Sequence, residues 1–135
     1  MTKERLRGYR TLLQEKKTLE QQIETIEATL LHPKIQKIKH TPAGPSGGNA
    51  LEDLAAKHLE LIDLYHTKLA EIAQELQAIE TGIGALPPTE RVLLRLRYVH
   101  GLSWEEVCVD MSYSWRQVHR IHAKALEALR EPGEG

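Results

Sequence analysis

The residues best suited to chemistry form a basic run near the C-terminus. Residues 115–126 read WRQVHRIHAKAL and contain cationic side chains but no acidic one before Glu127. Arginine can donate two hydrogen bonds to the edge of guanine, and a lysine later in the same helix suits phosphate. A tryptophan beside two arginines is unusual for a purely solvated face, although a charged face with the indole partly folded over it is the alternative. The residues predicted to share this outer face are Trp115, Arg116, His119, Arg120 and Lys124.

The same stretch offers little for metal binding. His119 and His122 lie on roughly one helix face, but zinc normally requires three or four protein ligands. Cys108 is the only cysteine, and we expect it to be buried and to face away from His119. The sequence therefore predicts no metal site and no cofactor.

Catalytic motifs are also missing from the sequence. It contains neither a phosphate-binding glycine loop nor a nucleophile elbow. The acidic residues are spread along predicted helix faces without a paired-carboxylate arrangement. We therefore predict that the protein is not an enzyme.

Two short helices are predicted to position the basic run. Ser103 can cap the first, with Glu106 completing a capping box, and this helix should end near Met111. Ser114 can cap the second, which should reach about Arg130. Helices joined by so short a turn must cross steeply, as in a helix-turn-helix whose second helix enters the DNA major groove. The residues expected at buried positions are Val107, Cys108, Met111, Tyr113, Val118, Ile121, Ala125 and Leu126.

The turn itself departs from the common pattern in one respect. Ser112 occupies the position that glycine often holds in helix-turn-helix proteins. We therefore expect this turn to use a different backbone conformation. Cys108, whose side chain is small, is predicted to lie where the two helices touch.

Two long helices are predicted upstream, over about residues 3–31 and 51–81. Each has apolar residues alternating at three and four positions, which is a coiled-coil pattern. Neither helix can bury its stripe alone, so we predict an antiparallel helical hairpin, with a flexible Pro- and Gly-rich loop at about 32–49 that includes Lys34, Lys37 and Lys39. The first stripe comprises Tyr9, Leu12, Lys16, Leu19, Ile23, Ile26 and Leu30, and the second comprises Leu51, Ala55, His58, Ile62, Tyr65, Leu69, Ile72, Leu76, Ile79 and Ile83.

The fold class predicted from these elements is all-α, with the hairpin at 1–85 and the helix-turn-helix domain at 86–131. Gly82, Gly84, Pro87 and Pro88 mark the boundary. After it, Thr89 is predicted to cap a short helix that begins near Glu90 and ends at Gly101. That helix should turn Val92, Leu93, Leu96 and Val99 inward.

Charge and hydropathy limit the functional classes. The formal net charge is −1 and the isoelectric point about 6.7, so contact with nucleic acid would need a local patch. No segment approaches the length of a membrane span or signal sequence, so a cytoplasmic protein is expected.

The run from Leu86 to Arg130 resembles region 4 of bacterial sigma factors. The resemblance extends without a gap through Glu105-Glu106-Val107, Ile121 and Ala123-Lys124-Ala125-Leu126. It implies recognition of double-stranded DNA. By position, Trp115, Arg116, Gln117 and Arg120 match the base-reading face, Ser114 matches the cap, and His119 lies beside them. Trp115 stands where housekeeping factors carry a basic residue, so a different DNA sequence is expected.

The whole chain is similar to small sigma-like regulators of phages and prophages, including autolysin-regulator-type activators of late genes. The similarity implies a sequence-specific transcriptional regulator, with RNA polymerase as a candidate partner. The resemblance does not extend to the sigma regions that bind core polymerase tightly. We expect a homodimer through the hairpin. The alternative is a coiled-coil oligomeric assembly protein that docks on DNA, such as a phage packaging subunit.

Overall fold

The computed structural model describes residues 1–32 and 49–130, and every regular element within those ranges is helical. The predicted all-α fold is therefore confirmed. Most of the predicted loop at 32–49, including its lysines, lies outside the described residues. The helices are α1 (Lys3–Leu31), α2 (Ala50–Ile83), α3 (Pro88–Leu94, continued by a π-helical turn at Arg95–Val99), α4 (Trp104–Met111) and α5 (Trp115–Leu129).

The chain divides into two compact units, one formed by residues 14–70 and the other by residues 1–13 together with those from 71 onward. Within the 14–70 unit, α1 and α2 pack as an antiparallel pair. Three polar pairs join the two helices, and across these pairs the residue numbers rise along α1 while they fall along α2. These pairs are Lys68 with Glu15 (3.1 Å), Tyr65 with Glu20 (2.7 Å) and His58 with Glu27 (3.0 Å).

The two polar residues on the predicted stripes of the 14–70 unit both have partners. His58 Nε2 lies 3.0 Å from a carboxylate oxygen of Glu27, with which it is hydrogen-bonded. Lys16 Nζ donates to Glu20, which also accepts from the hydroxyl of Tyr65. That Tyr65 hydrogen bond is the main reason that the pKa of Glu20 lies below its ordinary value.

The buried stripe of α2 in this unit differs from the predicted one. Leu61 is 5% exposed although it lies outside the predicted stripe, whereas the predicted Leu51 and Leu69 are 48% and 38% exposed. Each helix of a two-helix hairpin has a single neighbour, so only a narrow stripe can be covered. The covered stripe runs through Leu61 and Tyr65. The side of α2 that carries Leu51 and Leu69 is left exposed.

The other unit joins the start of α1, the end of α2 and helices α3–α5 around one core. The start of α1 and the end of α2, both predicted to belong to the hairpin, therefore share a core with the helix-turn-helix. The predicted domain boundary between residues 85 and 86 stays a prediction. The largest side chains that are fully buried here are Leu6, Ile79, Ile83, Leu93, Leu94, Val107 and Val118.

The start of α3 corrects one prediction. The helix begins at Pro88, and Pro87 stands at the cap without a side-chain hydrogen bond, so Thr89 is not the cap. Proline suits the first helical position because its ring fixes φ at a helical value. It also has no backbone N–H, and an N–H at this position would have no partner within the helix.

The end of α3 differs from an α-helix. A π-helical turn covers Arg95–Val99 and closes with a hydrogen bond of 2.8 Å from His100 N–H to the Arg95 carbonyl. A π-turn contains an extra residue and shifts the side chains that follow it. Tyr98 is buried within this turn. Before the turn, Leu94 is also buried, whereas the predicted Val92 is 42% exposed.

The turn between α4 and α5 uses the left-handed conformation that glycine would favour. Ser112 has φ 59° and ψ 41°, so the expectation of a different conformation was wrong. Val107 and Val118 are fully buried beside the turn. Cys108 is only half-buried, because Val107 occupies the innermost position of α4.

Replacing Ser112 with glycine should raise the free energy of unfolding by about 0.5–1 kcal/mol, because a Cβ is disfavoured at positive φ and the serine side chain is exposed. Ser112→Val should lower it, since a branched Cβ is worse still. Chemical denaturation measures both. A glycine variant less stable than the parent would contradict the assigned turn conformation.

Candidate nucleic-acid interface

The first turn of α5 is closed by reciprocal hydrogen bonds between Ser114 and Gln117. Ser114 Oγ accepts from the Gln117 backbone N–H (3.2 Å), and Gln117 Oε1 accepts from the Ser114 N–H (3.0 Å). The predicted cap at Ser114 is confirmed. Gln117, predicted only as a DNA contact, is therefore also part of the cap.

The first turn of α4 has the same construction. Ser103 Oγ accepts from the Glu106 N–H (3.1 Å), and a Glu106 carboxylate oxygen accepts from the Ser103 N–H (2.8 Å), which confirms the predicted capping box. The hydrogen bond from the Ser103 backbone is the main reason that the pKa of Glu106 is lowered. Both helices of the helix-turn-helix thus begin at fixed positions.

Most of the predicted contact residues lie on the exposed surface of α5. Arg116, Arg120 and Lys124 are exposed and follow one another at intervals of four, so they form one line along the helix. Ser114 and Gln117 are exposed at its start. DNA contact by the predicted set as a whole stays a prediction.

Trp115, the first residue of α5, is the outermost member of an aromatic stack. Its indole is 52% exposed and lies 4.4 Å, between ring centroids, from the imidazole of His119. The same imidazole lies 4.5 Å, between ring centroids, from the indole of Trp104. The guanidinium of Arg97 lies 4.6 Å above the Trp104 ring, in cation–π contact. We call Trp104, His119 and Trp115 the aromatic stack.

His119 differs from the other predicted contact residues. It is only half exposed, because its ring packs against two indoles. Its Nε2 is buried without a hydrogen-bond partner, the one such side-chain atom among the described residues. Packing against the indoles, rather than hydrogen bonding through Nε2, therefore holds this ring.

His122 is a structural residue that the sequence reasoning treated only as a possible metal ligand. It is 8% exposed, and its Nε2 lies 2.7 Å from the hydroxyl oxygen of Tyr98, with which it is hydrogen-bonded. Burial, followed by the positive charges of Lys3, His119 and Arg97, lowers the pKa of His122 to about 4. The imidazole is therefore neutral at physiological pH.

Sequence reasoning missed Arg97 and Trp104 as neighbours of α5. The spacing of Trp115 and His119, four residues apart on a helix, could have indicated their contact. Nothing local could have indicated Trp104, because it belongs to the other helix of the pair.

The described residues contain no group of three or more histidine, cysteine, aspartate or glutamate side chains placed to hold a metal ion. Within the same residues, none of the helices has the length and apolar character needed to cross a bilayer.

The buried His122 should make stability depend on pH. The unfolded chain binds a proton near the ordinary pKa of 6.5 and the folded chain only near 4, so the unfolded state holds more protons between these values. The free energy of unfolding should therefore fall by about 1–2 kcal/mol as the pH drops through this window, allowing for solvent screening.

Chemical denaturation at a series of pH values tests this dependence. His122→Gln, which stays neutral, should flatten it. His100→Gln, which changes an exposed histidine, should leave it as in the parent. Equal pH dependence in the parent and the His122 variant would show that this residue is not responsible.

Comparison with known proteins supports the C-terminal assignment. Residues 82–131 match the family model of sigma-70, region 4, and this range includes α3, α4 and α5. No significant match to a curated protein or to a solved structure was found. The C-terminal part of the chain is thus a helix-turn-helix domain of the sigma region 4 type, a DNA-binding class.

Proposed function

We propose that this protein is a sequence-specific, DNA-binding regulator of transcription of the phage or prophage kind, which acts in the cytoplasm. The observation that carries the proposal is the exposed basic line of α5, presented by a capped helix-turn-helix that matches sigma-70 region 4. A helix presented in this way fits the major groove, where its first turns reach base edges. The phage assignment rests on the similarity of the whole pattern, a hairpin followed by this domain, to small sigma-like regulators.

The side chains of α5 suit distinct tasks. Arg116 and Arg120 lie in the first half of the helix and can each donate two hydrogen bonds to guanine. Lys124, one turn further on, suits a phosphate. The exposed indole of Trp115 offers an apolar surface that complements the methyl group of thymine.

The cap and the stack would support these contacts. Because Gln117 Oε1 is used in the cap, this side chain can reach DNA through its amide nitrogen while the cap stays closed. His119 would act through Trp115, whose ring it supports, more than through a hydrogen bond of its own.

Replacing Arg116 or Arg120 with alanine should cost about 1–3 kcal/mol of binding to a site selected from random duplexes. Binding to unrelated duplexes should weaken much less. Lys124→Ala should instead weaken binding to all duplexes alike. Fluorescence anisotropy with the selected and a scrambled duplex measures both effects.

Two matched controls make the measurement specific. Arg116→Lys keeps the charge but loses the paired donors, so it should lose selectivity and keep general affinity. Lys57→Ala removes an exposed cation from the 14–70 unit and should change neither. Arginine variants that bind the selected site as tightly as the parent would refute base reading by α5.

We also propose that the protein binds DNA as a homodimer joined through the hairpin. The 14–70 unit leaves several leucines exposed, and Leu51, Leu59 and Leu69 lie on one side of α2 with exposures of 48%, 69% and 38%. We propose that a second copy of the chain covers these side chains. Two linked modules would gain avidity of about 10²–10⁴ without new kinds of contact.

The dimer is tested by measuring the mass of the protein by sedimentation and the length of DNA that it protects in a footprint. A dimer that covers two half-sites is expected, and Leu59→Glu should convert it to a folded monomer, since that side chain is largely exposed within the hairpin. A parent monomer covering one site would contradict the dimer and indicate RNA polymerase as the partner. A large ring would favour the assembly protein that docks on DNA.

A further inference from the structure

The start of α1 carries a basic stripe beside the helix-turn-helix. Lys3, Arg7 and Arg10 follow at intervals of four and three and therefore share one side of the helix. Arg7 is exposed, and the other two are half exposed. We call these three residues the α1 basic stripe.

One end of the stripe touches the turn that leads into α4. The guanidinium of Arg10 packs directly on Gly101, where a Cβ atom would collide with it. Gly101 also has a φ of +73°, a conformation that favours glycine. The stripe thus reaches the chain just before the first helix of the helix-turn-helix.

The other end of the stripe lies beside α5. Residues 1–4 line a surface depression together with Ala123, Leu126 and Glu127 of α5. The charges of Lys3 and Arg7 also act on His122, in the middle of α5, and help to lower its pKa. Both observations place the stripe along one flank of the proposed recognition helix.

The stripe differs from its neighbour Arg5 in its partners. Arg5 Nε donates to a carboxylate oxygen of Glu75 at 2.7 Å. Within residues 1–32 and 49–130, no carboxylate forms such a pair with Lys3, Arg7 or Arg10. Arg97, which lies over the Trp104 ring and donates to the Leu102 carbonyl (2.8 Å), is a fourth cation whose charge, like those of Lys3 and Arg7, acts on His122. Cations grouped on one side of a surface create a local positive potential that attracts a polyanion.

We propose that the α1 basic stripe binds the phosphate backbone of the same duplex that α5 reads. The inference rests on the proposed function and adds a second DNA-contacting element outside the helix-turn-helix. In such complexes phosphate contacts set the position of the protein, and base contacts provide the specificity. A chain with a net charge of −1 needs a local source of those contacts, and the stripe supplies one.

The proposal is tested by measuring how the DNA affinity of the full chain depends on salt concentration. Each phosphate contact that is lost should reduce the slope of log K against log salt by about 0.9. Lys3→Ala and Arg7→Ala should each show that reduction between about 50 and 300 mM potassium chloride. The loss of affinity should be equal for selected and scrambled duplexes. Thermal unfolding of each variant confirms that the fold is intact.

Arg5→Ala is the matched control, because it removes the same charge from the same helix at a residue already paired with Glu75. It should keep the parental slope, as should Arg7→Lys, which keeps the charge. Variants of the stripe with the parental slope and affinity would overturn this inference alone. A parent that binds no duplex even at low salt would overturn the proposed function, and the inference with it.

Discussion

Only residues 112–114 separate α4 from α5, so the two helices must cross within a few residues of the turn. The crossing depends on Ser112 in the left-handed conformation and on the fully buried Val107 and Val118. Reciprocal caps then fix where each helix begins. The candidate interface depends on this arrangement, because it determines which side of α5 faces the core and which side faces solvent.

The crossing also brings together the side chains of the aromatic stack. Trp104 belongs to α4, whereas His119 and Trp115 belong to α5, so the stack exists only when the two helices meet. Stacking restrains the exposed indole at the start of α5, and a restrained side chain loses less entropy on binding. The burial of His122, whose ring contacts Trp104 and Tyr98, keeps a second imidazole neutral inside the unit. A restrained indole and a local line of cations on α5 would suit DNA binding even though the chain as a whole has no excess of basic residues.

Much of the fold could be predicted because its signals are local. Ser103 with Glu106, and Ser114 with Gln117, form caps whose partners are three residues apart, and the helix bounds follow from them and from apolar periodicity. Periodicity does not record which neighbour covers a stripe, so Leu61 was missed in the hairpin. Nor does it reveal a π-turn, so the burial of Tyr98 was missed as well.

The candidate site was predictable to a similar extent. The exposed line of Arg116, Arg120 and Lys124 follows from helical spacing alone. The roles of Trp104 and Arg97, and the position of the α1 basic stripe beside α5, depend on packing between segments far apart in the chain. Such contacts leave no local pattern, so they became visible only in the structure.

We propose that the exposed face of α5 is the DNA-binding surface. The most direct test is an NMR titration of the ¹⁵N-labelled protein with a selected duplex, following backbone amides and the two indole N–H signals of Trp104 and Trp115. We expect saturable shifts at Trp115 and along residues 115–124, with smaller ones in the 14–70 unit. Saturable binding that leaves the signals of α5 unchanged would contradict the account.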